Sequence, residues 1–353
     1  MSIVARAPVR LSFGGGGTDL PAYYDRHGGF VVSAAISRYA MATASPAADG
    51  AIGVNSADYR VWLRWPSGVI PDPGEPLSLP RAVLAWFAER DLLPAGVDLF
   101  LASEVPPGSG LGSSSAMTVA TIQALAAFAR ELMTTADVAD LASHIEIERL
   151  GRPIGKQDHY AAVFGGLNAI SFAASGVAVE PLTLPPGTLD RLERGLLLFS
   201  TGMTRDSASI LTGQQASTAE DPATVHRLHA LKALAHEMRA ALEAGDLDGF
   251  GALLDDGWRI KRGINRGISS AAIDRWYEAG RAAGAFGGKI AGAGGGGFLL
   301  LYAPPAARSA VTAALLPEGL RPLAFSFAPT GATTAAMPVG PSGLALSLAG
   351  ETR

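Results

Sequence analysis

One segment of the chain combines three glycines with a run of three serines: EVPPGSGLGSSSA, from Glu104 to Ala116. Spaced glycines let backbone N–H groups converge, and a helix N-terminus adds a dipole that favours an anion. An apolar strand pattern precedes the segment and an amphipathic helix pattern follows it. We therefore predict a phosphate-binding loop rather than a flexible Gly/Ser linker. It is not a P-loop, because the Gly-Lys-Ser/Thr ending is missing.

A second glycine-rich segment, GAGGGG from Gly292 to Gly297, has the G-x-G-x-x-G spacing of dinucleotide-binding loops. In those folds the loop follows a strand and opens a helix. Here it opens onto the strand pattern Phe298–Tyr302, and too little chain follows for a nucleotide-binding half-sheet. We predict a hairpin laid against a ligand phosphate, or a plain tight turn.

The third cluster lies near the start of the chain, where four glycines precede Thr18 and Asp19 in FGGGGTDL. A carboxylate held at such a turn can accept hydrogen bonds from neighbouring hydroxyls of a sugar. An Asx turn or a helix N-cap would use the same residues. Taken alone, the segment favours the structural role.

Composition excludes several other kinds of chemistry. The 353 residues contain no cysteine, which removes disulfides, thiolate metal sites and cysteine nucleophiles. The formal charge of −4, without basic blocks, argues against nucleic acid or an anionic membrane as a partner. The start of the chain does not resemble a secretory signal, and no apolar run is long enough for a membrane helix. We expect a cytoplasmic protein.

Strand and helix patterns are mixed along the chain without a regular βαβ repeat, which favours an α+β fold. Strands are predicted at Val4–Phe13, Phe30–Ile36, within Ala51–Trp65, and at Val97–Ser103, Leu167–Phe172, Gly195–Ser200, Phe298–Tyr302 and Leu323–Phe327. Helical patterns cover Leu20–His27 (helix or turn), Pro80–Arg90, Ser115–Leu132, Asp137–Leu150, Pro222–Ala244, Leu247–Asn265, Ser270–Ala283 and Pro305–Leu315. The proline-rich stretch Glu180–Asp190 is a candidate domain boundary, or a loop.

Together, the three glycine clusters and their neighbours resemble the three motifs of the GHMP small-molecule kinases. The segments that carry the resemblance are RAPVRLSFGGGGTDLPAYYDRHGG, PPGSGLGSSSA, GRPIGKQDHYAAVFGGLNAI, STGMTRDSASIL, WRIKRGI and GGKIAGAGGGGFLLLY, from Arg6 to Tyr302. Galactokinase-like members have Gly-Glu-His-Thr-Asp where this chain has Gly16-Gly17-Thr18-Asp19. The difference favours the branch of sugar-1-kinases that act on heptose 7-phosphate or fucose.

The resemblance implies a two-domain α+β fold. Its N-terminal half, residues 1–185, would be similar to ribosomal protein S5 domain 2 and would carry the ATP-phosphate loop. Its C-terminal half, residues 190–353, would be ferredoxin-like. The chain would be a monomer or a homodimer.

The same resemblance implies roles for individual residues. Asp158 matches the catalytic aspartate, and Arg10 matches the basic residue near the transferred phosphate. Ser114 and Glu146 match the Mg²⁺ ligands, with Glu148 as an alternative. The ATP-phosphate loop would comprise Pro107, Gly108, Ser109, Gly110, Leu111, Gly112, Ser113, Ser114 and Ser115, and the substrate would contact Gly17, Thr18, Asp19, Gly202, Arg205, Gly294 and Gly295.

These parts suit phosphoryl transfer, which needs charge neutralisation around the γ-phosphate and an aligned acceptor. Asp158 would accept or orient the acceptor hydroxyl proton. Arg205 is a hypothetical contact for the distal phosphate of a sugar 7-phosphate, because its planar guanidinium suits a phosphate. Lys261 and Arg262 form a second basic candidate, which a solvated helix face would also explain.

The expected function is ATP- and Mg²⁺-dependent phosphorylation of the anomeric C1 hydroxyl of D-glycero-D-manno-heptose 7-phosphate, giving the 1,7-bisphosphate. Alternatives on the same fold are a kinase for an unphosphorylated hexose, fucose or a cyclitol, and a decarboxylase of the diphosphomevalonate type. A catalytically silent sugar or nucleotide sensor is a further alternative, but Asp158, Ser114 and Glu146 are retained together.

Overall fold

The computed structural model describes residues 1–93, 96–203, 207–265 and 267–338. Within these ranges the strands are β1 (Ser2–Gly14), β2 (Gly29–Pro46), β3 (Ile52–Ser56), β4 (Val61–Trp65), β5 (Val97–Ser103), β6 (Leu167–Ala173), β7 (Gly176–Pro181), β8 (Leu196–Ser200), β9 (Gly287–Ile290), β10 (Phe298–Tyr302), β11 (Arg321–Pro322) and β12 (Thr333–Met337). The helices are α1 (Pro21–His27), α2 (Ser78–Ala88), α3 (Ser113–Ala129), α4 (Thr135–His144), α5 (Gln157–Phe164), α6 (Thr188–Gly195), α7 (Ser207–Glu220), α8 (Pro222–Ala244), α9 (Leu247–Lys261), α10 (Ala271–Ala282) and α11 (Arg308–Leu315).

The larger of the two sheets is built around β1 and β2. Among the described residues its order is β12-β1-β2-β5-β3-β4, and β6 pairs with the other half of β2 while β7 pairs with β6. At 18 residues, β2 is long enough to pair with β6 through Gly29–Ala34 and with β5 through Ala40–Pro46. This arrangement puts β1, which carries Arg10 and ends at the first glycine run, inside the sheet rather than at its edge.

The smaller sheet has the order β11-β8-β10-β9 in the described part of the chain, and its neighbouring strands are antiparallel. Ile290 of β9 pairs with Leu299 of β10, so the GAGGGG segment is the loop of a hairpin. The hairpin itself is therefore confirmed, and the loop opens onto a strand instead of a helix; its contact with a ligand phosphate stays a prediction.

Helix α3 lies in the interior and determines where the phosphate-loop motif sits. Its Val119, Ala120, Ile122, Ala124 and Leu125 are fully buried and point to all sides of the helix, which is typical of an interior position. It packs against β1 and β2. Helix α8 packs against the same two strands and against α9, and α9 contacts both β1 and β9. These two helices therefore connect the sheets.

Two predicted elements differ in the structure. The helix expected over Asp137–Leu150 ends at His144 and continues as a π-helical turn, Ile145–Arg149. The strand expected at Leu323–Phe327 is wrong, because Phe327 forms only an isolated bridge with Ile36. The apolar residues Leu323, Phe325 and Phe327 occur at every second position because they pack against the core. They do not belong to a hydrogen-bonded strand.

The last described strand, β12, has no apolar alternation that the sequence could reveal, since all five of its residues are exposed. Its partner is β1, at the opposite end of the chain. Residues 333–337 thus add an edge to the N-terminal sheet. The division into domains 1–185 and 190–353 stays a prediction.

Candidate active site

A cavity of about 530 Å³ lies where the end of β1 meets the starts of α3 and α5. That volume is in the range of small-molecule sites. The predicted site residues that line it are Arg10, Gly17, Asp19, Pro107, Gly108, Gly110, Gly112, Ser113, Ser114, Ser115 and Asp158. Residues from three distant segments of the chain therefore share one cavity.

The first glycine run turns the chain sharply between β1 and α1. Gly15 has φ +78°, and a Cβ on it would lie 1.9 Å from the carbonyl oxygen of Phe30. The Thr18 hydroxyl donates to the Gly15 carbonyl and accepts from the Phe30 N–H, at 2.8 and 3.0 Å. Thr18 is fully buried, so its hydroxyl ties the turn to β2 instead of facing the cavity.

The phosphate-loop motif forms the N-terminus of α3, as its sequence predicts. Gly108, Gly110 and Gly112 all have positive φ, between 71° and 81°. Backbone N–H groups at the start of a helix and next to left-handed residues favour anions. The loop packs under the β9–β10 hairpin, since a Cβ on Gly297 would lie 2.2 Å from the Ser109 carbonyl oxygen.

The buried Arg10 and the partly exposed Asp158 form an ion pair in the wall of the cavity. Nε and Nη2 of Arg10 lie 2.7 and 2.6 Å from the same oxygen, Oδ1 of Asp158. The third nitrogen donates to the Gly110 carbonyl at 2.7 Å. A Cβ on Gly112 would approach Oδ2 to 3.2 Å, so that second oxygen sits beside the start of α3. The pair links β1, α5 and the phosphate loop.

Glu146 lies directly beneath the start of α3, on the π-helical turn, and is fully buried. Its Oε1 accepts from Thr118 Oγ1 at 2.9 Å and lies 3.1 Å from His159 Nε2. Its Oε2 accepts from Ser114 Oγ at 2.8 Å, with Arg152 Nη1 at 3.6 Å. Burial would raise the pKa of Glu146, but the hydrogen bond and electrostatic interaction with His159, helped by Arg152 and Ser114, hold it below its ordinary value.

Glu148, the alternative to Glu146, points elsewhere. Its side chain is exposed and lies 2.8 Å from His144 Nδ1, one turn earlier. Mg²⁺ prefers oxygen ligands and is usually held by one or two carboxylates plus substrate phosphates. The pair Ser114–Glu146 fits that chemistry, whereas the described residues contain no group of three acidic or histidine side chains that could hold a metal ion.

Asp19 is buried in the cavity wall beside the start of α5, and backbone donors hold both of its oxygens. Oδ1 accepts from the Gly17 N–H at 2.9 Å and Oδ2 from the Gln157 N–H at 3.3 Å. Burial, and then the charge of Asp158, raise the pKa of Asp19. Gly155 permits the contact with α5, since a Cβ there would lie 2.0 Å from Oδ2. Each carboxylate oxygen keeps a lone pair for a ligand.

Several predicted contacts are not brought to the cavity wall. Ser109, Leu111, Gly202, Gly294 and Gly295 do not line it. Gly295 donates to the Ile268 carbonyl at 2.8 Å, and the hairpin reaches the cavity through Gly292 and Ala293 instead. Arg205 lies outside the described residues.

Other lining residues carry no signal in the sequence. Ser12, Gln157 and Gln214 are polar, more than nine-tenths buried, and line the cavity beside Asp19. Single polar residues of this kind have no motif spacing, so only the fold identifies them. Lys261, which the sequence already offers as a basic candidate, also lines the cavity and donates to the Gly292 carbonyl.

Lys289, on β9, is buried next to the end of β1 and does not line this cavity. Its ammonium donates to the Ser12 and Phe13 carbonyls at 2.8 and 3.2 Å. Burial lowers the pKa of Lys289 well below its ordinary value, and the positive charges of Lys261 and Arg10 lower it further. Lys289 therefore fixes the end of β1 from the second sheet.

With the site described, the comparisons with known proteins identify its class. The family model for the GHMP kinase N-terminal domain matches residues 78–166, and the model for the GHMP kinase C-terminal domain matches residues 238–320. The chain belongs to the GHMP kinase family. It is a sugar kinase of that family: a phosphotransferase with an alcohol group as acceptor, and GHMP kinases use ATP.

Among individual relatives, the chain is 32% identical over 335 residues to D-glycero-alpha-D-manno-heptose 7-phosphate kinase of Campylobacter jejuni, covering 94% of this chain and 98% of that protein. It is 29% identical to L-fucokinase/L-fucose-1-P guanylyltransferase of Bacteroides fragilis, over 76% of this chain and 31% of that protein. The crystal structure of a D-glycero-D-manno-heptose 1-phosphate kinase from Bacteroides thetaiotaomicron superposes with a TM-score of 0.80 at 28% identity, covering 96% and 100% of the two chains.

These findings confirm the predicted family, the two-part α+β fold class and the predicted enzyme class. They leave the acceptor open, because the two heptose kinases are named for different phosphate positions. In the described part of the chain, no helix is long and apolar enough to cross a membrane.

Proposed function

We propose that this sugar kinase transfers the γ-phosphoryl group of ATP to the anomeric C1 hydroxyl of D-glycero-D-manno-heptose 7-phosphate, giving the 1,7-bisphosphate. One observation carries the choice of acceptor: the similarity to the Campylobacter heptose 7-phosphate kinase extends over nearly the whole of both chains. The similarity to the fucokinase covers less than a third of that protein. An unphosphorylated hexose, fucose or a cyclitol is therefore the second candidate.

The nucleotide phosphates would bind at the start of α3. Backbone N–H groups from Gly108 to Ser115 are the donors, and the helix dipole favours the negative charge. Ser114 and Glu146 would hold Mg²⁺, which when bound neutralises charge on the phosphate oxygens. Oε1 of Glu146 is occupied by Thr118 and His159, so Oε2 is the oxygen that faces Ser114.

Arg152 lies beside Oε2 of Glu146 and makes weak contacts with Ser114 Oγ and Ser78 Oγ, at 3.5 and 3.3 Å. Its side chain is one-third exposed and lines the cavity. Together with His159 it holds the pKa of Glu146 below its ordinary value, and in the proposed site it would contact a nucleotide phosphate.

Asp158 would hold the proton of the acceptor hydroxyl. Because Arg10 binds only Oδ1, Oδ2 remains available for that hydroxyl at the start of α3. The guanidinium fixes the carboxylate in orientation, and Arg10 itself adds positive charge next to the transferred group. Orientation of this kind accounts for much of the rate enhancement in phosphoryl transfer, because the protein contributes little covalent chemistry to that reaction.

The acceptor end of the cavity supports a sugar phosphate. Asp19 offers carboxylate lone pairs to hydroxyls, and Lys261 offers a cation on the wall formed by α9 and the hairpin. Arg205 remains the other proposed contact for the distal phosphate. A variant such as Lys261→Met that kept full affinity for a sugar 7-phosphate would leave that contact to Arg205.

The test measures ADP release with Mg-ATP over a panel of sugars, sugar 7-phosphates and sugar 1-phosphates, followed by phosphorus NMR of the product. We expect the fastest turnover with D-glycero-D-manno-heptose 7-phosphate and a new anomeric phosphate signal beside the original one. Faster turnover with fucose, an unphosphorylated hexose or a 1-phosphate would refute the proposed acceptor. Hydrolysis of ATP without any phosphorylated sugar would refute the proposed reaction.

A further inference from the structure

Three buried polar atoms at the acceptor end of the cavity have no hydrogen-bond partner among the residues that the structure describes: Ser12 Oγ, Gln157 Oε1 and Gln214 Nε2. Their residues are 6%, 8% and 3% exposed. Buried polar groups are almost always hydrogen-bonded, because an unpaired one loses its hydration without compensation. Three such atoms in one wall are unusual and indicate a ligand that completes them.

The three atoms belong to different elements and surround the first glycine run. A Cβ on Gly16 would lie 3.6 Å from Ser12 Oγ and 3.8 Å from the Gln157 amide nitrogen. A Cβ on Gly17 would lie 2.3 Å from Gln214 Nε2. The two glycines therefore leave open the space into which β1, α5 and α7 direct polar side chains. All three residues line the cavity together with Asp19.

The chemistry of the three atoms identifies the groups that would satisfy them. Gln157 Oε1 only accepts a hydrogen bond, Gln214 Nε2 only donates, and the Ser12 hydroxyl does both. A hydroxyl group can serve each of them in turn, because it is both donor and acceptor. An isoprenoid or other apolar chain would leave all three unpaired. Neighbouring hydroxyls of a sugar ring match the set, with Asp19 as a further acceptor.

We propose that Ser12, Gln157 and Gln214 form a hydroxyl-recognition site that selects a polyhydroxylated acceptor and orients it toward Asp158. This inference rests on the proposed function for the identity of the reaction, but not for the identity of the sugar. Gln157 is the residue before Asp158, and its backbone N–H holds Asp19, so recognition and catalysis share the first turn of α5. Gln214 brings α7 into contact with the acceptor.

The experiment uses the whole chain of 353 residues and three variants, Ser12→Ala, Gln157→Met and Gln214→Met. The acceptor is the panel sugar that the wild type phosphorylates fastest, so a wrong choice of heptose does not affect this test. Each removed hydrogen bond should raise the acceptor KM by roughly 2- to 12-fold, with the KM for ATP unchanged within twofold. The double variant Gln157→Met, Gln214→Met should have a higher acceptor KM than either single variant.

A second readout separates recognition from a structural role. Because the three atoms have no partner in the described part of the chain, replacing them with apolar groups of similar size should leave the melting temperature unchanged or raise it. The acceptor should then stabilise the variants less than it stabilises the wild type. Thr218→Val is the matched control on α7: Thr218 is buried one turn after Gln214 and donates to its carbonyl at 2.7 Å, outside the cavity lining.

Deoxy analogues of the acceptor complete the test as a double-mutant cycle. If Gln214 contacts a given hydroxyl, the sugar lacking that hydroxyl should have the same KM with the wild type and with Gln214→Met. Variants that melt at lower temperature while their acceptor KM stays within twofold of the wild type would overturn the inference. Turnover of no sugar at all would overturn both this inference and the proposed function.

Discussion

Replacing Asp158 with asparagine changes one oxygen of the active site and little else. Nε and Nη2 of Arg10 lie at 2.7 and 2.6 Å from the same carboxylate oxygen, Oδ1. The amide of the variant can keep its oxygen toward Arg10 and put its NH₂ group where Oδ2 was. A group that accepts the proton of the acceptor hydroxyl becomes one that donates, while the position of the side chain is preserved.

The expected loss of turnover is about 10²- to 10⁴-fold, the range for a positioned general base. At about 1.36 kcal/mol per tenfold change, this equals roughly 3 to 5 kcal/mol of transition-state stabilisation. The loss of stability should be far smaller, about 1 kcal/mol, because the hydrogen bonds from Arg10 can remain with a neutral acceptor. In addition, Asp158 raises the pKa of Asp19, so removing its charge relieves a neighbouring repulsion.

Single-turnover and steady-state ADP release would give kcat, and calorimetry with a non-hydrolysable ATP analogue would give the nucleotide affinity. We expect kcat to fall while the affinity for nucleotide stays within threefold. Asp190→Asn, at an exposed position in the first turn of α6, is the control for a lost surface charge. A kcat for Asp158→Asn within tenfold of the wild type would refute the assignment of Asp158 as the proton acceptor.

Three further predictions concern the metal side, the acceptor side and the fold. Glu146→Gln should weaken the Mg²⁺ dependence of ATP binding by more than tenfold, whereas Glu148→Gln should change it less than twofold, as measured by calorimetry over a magnesium series. Asp19→Asn should have a larger free energy of unfolding than the wild type near neutral pH. The raised pKa of Asp19 contributes stability to the wild type at low pH, and this contribution is lost as pH rises through that pKa. The advantage of the variant in free energy of unfolding should therefore shrink toward pH 4 in denaturant titrations. Gly15→Ala should destabilise the protein by more than Gly68→Ala. Both positions have φ near +79°, where a Cβ costs about 1–2 kcal/mol. Only the Cβ at position 15 would also approach a backbone carbonyl oxygen, to 1.9 Å.

Each of these has a contradicting result. Equal magnesium dependence of the Glu146 and Glu148 variants would remove Glu146 from the metal site. An Asp19→Asn advantage that did not change with pH would mean that the carboxyl is not strained by burial. Equal melting temperatures for the two alanine variants would mean that the first turn can shift away from β2.

Much of the local structure could be predicted from residues close together in sequence. The strands Val97–Ser103 and Phe298–Tyr302 have the predicted bounds, and α3 begins two residues before its predicted start. Hydrophobic periodicity and glycine spacing report on a window of about ten residues, which is enough for these elements. The strand at Thr333–Met337 was not predicted, because it is stabilised by a partner strand at the other end of the chain.

The same limit applies to the site. Arg10 and Asp158 could be identified from their motifs through the family resemblance. Neither motif indicates that the two side chains, which are 148 residues apart in sequence, contact each other. Nor does the sequence distinguish Glu146 from Glu148, which lie on one turn; the packing of that turn against α3 buries the first and exposes the second.

By itself, the sequence determined where the backbone must turn sharply and where a helix can receive an anion, because these depend on local dihedral freedom and on helix ends. It did not determine what faces those turns. Tertiary packing decided that Gly297 presses on Ser109 and that Ser12, Gln157 and Gln214 converge on the first glycine run. Such contacts depend on how two sheets and their helices pack together, and no short stretch of residues carries that information.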